Sequence, residues 1–267
     1  MIDTHSHIDL PVFDEDRGAM LARARSAGVH AIVVIGHNPE RWRASAELCG
    51  AHSNLVRTVG IHPNDAGSWS PSVSRDLTRE LEMGDAIAIG ETGLDFYRDS
   101  VPPDLQRGAF AAQLSLARLF DLPVVIHQRN AEEDVLTMLR AYGPLRGVMH
   151  CFSGDTTFAT ACVGLGFMLG VGGVATYPKS TNVRAALSET PIDALILETD
   201  APYLAPQGRR GKRNEAAYIV ESAQTLADVH GLSVEEIADR TTANAVRLFG
   251  GRLKAAVAAG LGAGLCA

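Results

Sequence analysis

The sequence has no surplus of positive charge: 24 lysines and arginines against 31 aspartates and glutamates leave −7 at pH 7. That excludes a broad basic face of the kind that coats nucleic acid, while leaving room for a local basic patch beside an acidic site. The chain is also poor in cysteine. Cys49, Cys151, Cys162 and Cys266 are scattered, with no CxxC pair. In a chain of this size the scatter excludes a disulfide framework and reads as a reduced, cytosolic protein. No apolar run is long enough to span a bilayer, and the opening MIDTHSHIDL lacks the basic-then-apolar order of a signal peptide. The expectation is a cytoplasmic protein with no membrane partner and a monomeric state compatible with its composition. Hydrophobic residues make up 46% of the chain and charged residues 21%, the balance of a globular protein. Its 267 residues suffice for a sizeable core, and barrels of this length are commonly one domain.

Short β-rich runs alternate with helical stretches. The strands are expected at Ile2 to His7, Ala31 to Ile35, Val56 to Ile61, Ala86 to Glu91, Val124 to His127, Gly147 to His150, Phe167 to Val171 and Leu195 to Glu198. Between them, Arg17 to Ala27 and Leu105 to Phe120 carry apolar residues at helical spacing. AIVVI and LPVVIH are apolar on consecutive positions, which suits strands covered on both faces, as in a parallel sheet. Eight strands alternating with helices fit an α/β fold of the (β/α)8 TIM-barrel type, with a doubly wound open sheet as the rival. No linker marks a boundary, so residues 1–250 are expected as one barrel domain. Residues 251–267 are rich in Ala, Gly and Leu, with no charge after Lys254, and read as a frayed helix or disordered tail.

The chemistry gathers at the strand ends. His5 and His7 are two apart, so both point to one face of the first strand. Glu91 ends the fourth strand, His127 the fifth and His150 the sixth, while Asp200 follows the eighth. In a barrel these ends meet at the C-terminal rim. An HxH alone is an ordinary strand-end feature, and His127 alone is an ordinary core histidine; the joint pattern at five strand ends is not. Four imidazoles and two carboxylates in one volume are costly unless cations resolve the repulsion and desolvation. Six ligands exceed one catalytic zinc site, so two divalent ions are expected, with Glu91 shared between them. Mixed nitrogen and oxygen donors suit zinc, manganese, iron or nickel, and magnesium prefers mostly oxygen. Two ions about 3.5–4 Å apart assist an in-line displacement. His62 follows the third strand and is a candidate for substrate contact. His30, His37, His52 and His230 fall away from the expected strand ends and read as surface residues.

These segments together resemble the TatD family of metal-dependent deoxyribonucleases within the amidohydrolase superfamily. The matching stretches are DTHSHID, GIHP at Gly60 to Pro63, GETGLDFY at Gly90 to Tyr97, PVVIHQRNA at Pro123 to Ala131, HCFSG at His150 to Gly154, ETDAPYLAP at Glu198 to Pro206, and RRGKRNE at Arg209 to Glu215. The resemblance covers roughly residues 1 to 250. It implies a TIM barrel that hydrolyses DNA phosphodiesters from 3′ ends with magnesium or manganese. It assigns His5, His7, Glu91 and Asp200 to one ion, and Glu91, His127 and His150 to the other. It makes Asp200 the residue that orients or deprotonates the attacking water. The superfamily often bridges its metals with a carbamylated lysine; no lysine lies near the end of the fourth strand, so Glu91 is the bridge. The chain departs from the family's usual residues at Thr92, Gln128, Asn130, Asn64 and Ala216. Asn130 removes a negative charge near His127, with an expected effect on ligand orientation or substrate choice.

RRGKR places four basic residues in five within an acidic chain, after the last expected ligand. Arg210, Arg213 and Arg129 are therefore candidates for holding phosphate, with Asn214 and Glu215 bracing the loop. Phe96 and Tyr97 are candidates for stacking on a base, or for packing on the barrel. The main reading is a two-metal 3′–5′ exodeoxyribonuclease. The rival is a metal hydrolase of a small ester, lactone, cyclic amide or RNA-linked ester, since fold does not fix substrate.

Overall fold

Consecutive apolar residues become strands here because a parallel sheet flanked by helices buries both faces of each strand. The computed structural model describes residues 1–262. Within them lie β1 (Ile2–Ser6), β2 (Ala31–Gly36), β3 (Leu55–Val59), β4 (Ala86–Asp95), β5 (Val124–Arg129), β6 (Gly147–Met149), β7 (Phe167–Val171) and β8 (Leu195–Leu197). All adjacent pairs are parallel, and the sheet order follows the sequence from β1 to β8. Closure between β1 and β8 rests on a few bonds: the Asp200 amide donates to the His5 carbonyl at 2.9 Å, and the His7 amide to the Ala201 carbonyl at 2.7 Å. The Asp3 carboxylate strengthens the seam, accepting from the Thr199 amide at 2.9 Å and the Thr199 hydroxyl at 2.6 Å. This is a TIM barrel, as expected.

The helices are α1 (Arg17–Ser26), α2 (Pro39–Ala51), α3 (Pro71–Glu82), α4 (Pro103–Leu119), α5 (Glu132–Tyr142), α6 (Thr156–Gly164), α7 (Thr181–Glu189), α8 (Ile219–His230), α9 (Val234–Phe249) and α10 (Gly251–Gly262). Proline in the first turn starts α2, α3 and α4, where its missing N–H costs nothing. A capping box of Ser233 and Glu236 starts α9. No helix among the described residues is long and apolar enough to cross a membrane.

Alternate strand residues divide between two cores. Ile32, Val34, Val124, Ile126, Leu195 and Leu197 pack outward against helix residues such as Phe110, Leu114 and Val135. Val33, Ile35, Ile87, Val125, Val148 and Ile196 form the second cluster, together with Leu248, Phe249, Leu253 and Ala256 from α9 and α10. The last two helices thus close the floor of the barrel. The Ala/Gly-rich stretch expected as a frayed or disordered tail is, over Gly251–Gly262, a packed helix with Leu253 and Ala256 buried. Gly260 lies so close to the His30 carbonyl that a Cβ would collide with it. Hydrophobic burial on one face outweighs the weak helix propensity of its glycines. Residues 263–267, the end of the expected tail, lie outside the described residues.

Two β-bulges aim the polar residues inward. The β1–β2 register pairs Asp3 with Ile32 but Ser6 with Val34, so β1 carries one extra residue between them. The extra residue turns His5 and His7 to the side of Val33 and Ile35. Likewise Ile89 pairs with Val124 but Thr92 with Ile126, which puts Glu91 on the side of inward Val125. A one-residue slip reverses every side chain beyond it, and bulges beside active sites serve this re-aiming.

Candidate metal centre

The strands deliver inward positions to the rim, and alternation from the inner core says which. β1 leads to His5 and His7, β2 through Val33 and Ile35 to His37, β5 through Val125 to His127, and β6 through Val148 to His150. β8 leads through Ile196 to Glu198 and Asp200. β7 contributes Gly170, whose added Cβ would collide with the Glu198 carboxylate. Glycine there is a matter of space: the buried carboxylate occupies the volume that any side chain would need.

The six residues expected to ligate metal come together. His5 Nε2 and His7 Nε2 face each other at 3.3 Å. Glu91 Oε2 lies 3.4 Å from His5 Nε2 and 3.7 Å from His7 Nε2. Asp200 Oδ1 lies 3.8 Å and 3.4 Å from the same two atoms. Ligands about 2.0–2.1 Å from a tetrahedral ion are about 3.3–3.4 Å from one another, so these spacings fit a single cation. The other oxygen of Glu91 faces away from this group. Oε1 is 2.9 Å from His127 Nδ1, 3.5 Å from His62 Nε2 and 3.9 Å from His150 Nε2. One carboxylate therefore presents one oxygen to each of two imidazole groups. Ligand atoms fall within 4.8 Å of one another in three sets: His5, His7 and Asp200; His5, His150 and Glu198; His62, Glu91 and His127.

The donor set fits metal on its own chemistry. Two Nε2 atoms at 3.3 Å permit at most one hydrogen between them, which leaves a buried lone pair in need of a partner. Glu91, Glu198 and Asp200 are buried, yet no lysine or arginine among the described residues pairs with them. A divalent cation satisfies lone pairs and carboxylate charge together.

Carboxylates stand behind the imidazoles. His150 Nδ1 is 2.9 Å from Glu198 Oε1, and His127 Nε2 is 3.2 Å from Asp95 Oδ2. Such partners fix ring orientation and raise ligand basicity. Burial opposes protonation of His150, but Glu198 prevails and lifts its pKa to about 10. His127 moves up in the same way, its burial outweighed by Asp95 and Glu91. Burial lowers His5 and, despite the pull of Glu91, takes His62 down to about 3. Burial alone would raise the Glu91 carboxyl; the surrounding imidazoles, His62 foremost, hold it well below the usual range.

His37 corrects the sequence reading. It was expected on the surface, yet its ring stands 5.1 Å from that of His7 and 6.5 Å from that of His62. β2 runs through Gly36, so His37 is its rim residue, and alternation from Ile35 was the overlooked signal. Glu198 and Asp95 were likewise missed as supports. Glu198 sits two residues before Asp200 and so faces the same way. Asp95 became visible only because β4 continues four residues past Glu91. Asn64, one of the departures from the family pattern, reaches Asp95 Oδ2 at 3.4 Å. Asn130 is exposed with a left-handed φ of 53°.

The basic loop divides. Arg213, expected to hold phosphate, donates to Asp16 at 2.7 and 2.8 Å and to the Val12 carbonyl at 2.7 Å, over the Phe13 ring. Its cation is spent on the segment just before α1, where Asp16 immediately precedes that helix. Arg209 pairs with Glu221 in α8. Arg210 has no carboxylate partner among the described residues and lies over Tyr177 at 4.5 Å. Arg129 is also without one and lies over Tyr97 at 3.7 Å. Phe96 packs against the outer core, whereas Tyr97 is exposed. Asn214 braces the segment bearing Asp200, donating to the carbonyls of Thr199 at 2.8 Å and Tyr203 at 2.7 Å.

Comparison with known proteins bears on this arrangement. A family model described as TatD related DNase matches residues 2–250. An uncharacterized metal-dependent hydrolase, YabD of Bacillus subtilis, is 37% identical over 93% of this chain and 98% of its own. The 3′-5′ ssDNA/RNA exonuclease TatD of Klebsiella pneumoniae is 34% identical over 94% and 98%. Among solved structures, the TatD homolog YJJV of Escherichia coli superposes with a TM-score of 0.89 at 32% identity, covering 93% of this chain and 97% of that one. Matched over nearly its whole length, the chain belongs to the TatD-related DNase family.

Proposed function

We propose that this protein is a two-metal exonuclease that hydrolyses phosphodiester bonds at the 3′ end of single-stranded DNA, with RNA as a related substrate. The observation that carries the reading is Glu91, one carboxylate with an oxygen toward each of two imidazole groups. His5, His7, Glu91 and Asp200 would hold one ion; Glu91, His127 and His150 the other, with His62 beside it. Relatives carrying the name of 3′-5′ ssDNA/RNA exonuclease support the substrate class. Magnesium or manganese is the working metal in this reading. Divalent ions bound there would supply Lewis acidity toward a phosphoryl oxygen and lower the pKa of water.

The protein's own groups do the remaining work. Asp200 Oδ1 lies among His5, His7 and His150, so its carboxyl stays ionised: burial favours the neutral acid, but His7 and His150 more than offset it. An ionised carboxylate there accepts the proton of the attacking water. Glu198 and Asp95 hold the rings of His150 and His127 in register. Arg129 and Arg210, rim cations without carboxylate partners among the described residues, grip substrate phosphates, and His62 contacts the phosphate nearest Glu91. Arg213 is left out of this set.

The test is digestion of end-labelled single strands with added magnesium or manganese, comparing oligonucleotides blocked at the 3′ or the 5′ end. Stepwise shortening stopped only by the 3′ block is expected. Hydrolysis of small esters or lactones with no cleavage of nucleic acid would replace this reading with the rival one.

A further inference from the structure

Three tyrosines stand at the rim, and two already have a cation on the ring. Tyr97 lies under Arg129, and Tyr177 under Arg210 with its hydroxyl on the Ala205 carbonyl at 3.0 Å. Tyr203 differs. Among the described residues no cation lies over its ring and its hydroxyl has no hydrogen-bond partner. The residue is 54% exposed, although its ring stands 5.8 Å from that of His7 at 70°, directly beside the proposed metal ligands.

The backbone under Tyr203 is held firmly. Its amide donates to the Asp200 carbonyl at 2.8 Å, and its carbonyl accepts from Asn214. Left-handed Asp200 (φ 59°) and Leu204 (φ 50°) bracket it, and Ala201 and Ala205 on either side are buried. A firmly anchored segment thus presents a bare aromatic ring within three residues of the proposed base.

We propose that Tyr203 is the platform on which the nucleobase flanking the scissile phosphate stacks, making it a substrate-positioning residue that favours unpaired ends. The proposal rests on the nuclease reading. Aromatic rings bind bases of any sequence through their faces, and a base still paired in a duplex has no free face to offer. Arg129 and Arg210 would hold phosphates while Tyr203 holds a base, so the reacting bond is fixed from two directions.

The test compares parent, Tyr203→Phe and Tyr203→Leu on a single-stranded oligonucleotide. The same strand is also made abasic at the terminal or the penultimate position. Tyr203→Phe should match the parent. Tyr203→Leu should raise KM on the order of 5- to 150-fold, with kcat, metal content and melting temperature little changed. That penalty should vanish on one of the two abasic strands, and 2-aminopurine placed at that same position should be quenched by the parent protein but not by Tyr203→Leu. An unchanged KM in an active enzyme, or an equal penalty on both abasic strands, would overturn the stacking role alone. A parent protein that cleaves no nucleic acid would overturn the nuclease reading and the stacking role with it.

Discussion

Replacing Asp200 by asparagine isolates the proton-accepting role from everything else the residue does. Its backbone is left-handed, at φ 59°, a conformation that Asp and Asn adopt more readily than other non-glycine residues. Its amide bond to the His5 carbonyl helps close the barrel, and Asn keeps that bond. The side chain retains its size and one oxygen toward His7, His5 and His150 but loses the charge and the basic site. Folding should therefore survive, with a stability change within about 1 kcal/mol, or about 2–4 °C in melting temperature for a chain of this class. Turnover should fall by roughly 10²- to 10⁴-fold, the usual weight of a general base, equivalent to about 3–5 kcal/mol in the barrier. Turnover, bound metal by elemental analysis and melting temperature are measured side by side on oligonucleotide substrate. The ion proposed for Glu91, His127 and His150 should remain. Near-parental turnover in fully metallated Asp200→Asn protein would refute the role and reduce Asp200 to a ligand or a structural link between β8 and β1.

Glu198→Gln, which leaves His150 without its charged partner, should weaken binding of one ion by about 10- to 100-fold while sparing the other, as read by metal titration; two unaltered sites would remove Glu198 from the account. Arg129→Ala and Arg210→Ala should raise KM on single strands and flatten its salt dependence, whereas Arg213→Ala should lower the melting temperature with little change in salt dependence. In chelator, His37 and His62 should each make stability fall as pH drops below about 6.5, against the opposite pull of Asp3, whose carboxyl burial raises to about 7. Burial takes His37 to about 4 and His62 to about 3 in the fold, so both stay neutral there while the unfolded chain takes up protons, and their contribution is present above 6.5 and lost toward those lower values. His37→Gln should flatten this fall in pH-dependent melting curves, and an unaltered slope would show that His37 is not among its sources.

Local chemistry made the strands and most of the centre readable from the sequence. Runs such as AIVVI and LPVVIH suited strands covered on both faces, and polar residues ending five such runs pointed jointly to cations because together they are costly without them. The expected starts of the strands from β4 to β8 match those observed because apolar runs begin where burial begins. What the sequence could not fix was the parity of side chains after an interruption. The bulges that turn His5, His7 and Glu91 inward depend on neighbouring strands competing for register, and no local pattern records that competition. The same holds for partner choice. RRGKR looked like one basic patch, but Arg213 and Arg209 found carboxylates just before α1 and on α8, brought close only by folding, and Arg210 did not. His37 was misread for want of one strand residue, Gly36, which pairs with Val59 of β3. The floor formed by α10 was invisible because glycine and alanine argue weakly for a helix until a barrel end offers a surface to cover. Composition and periodicity determined which residues must be buried or satisfied; only the closed barrel decided with whom.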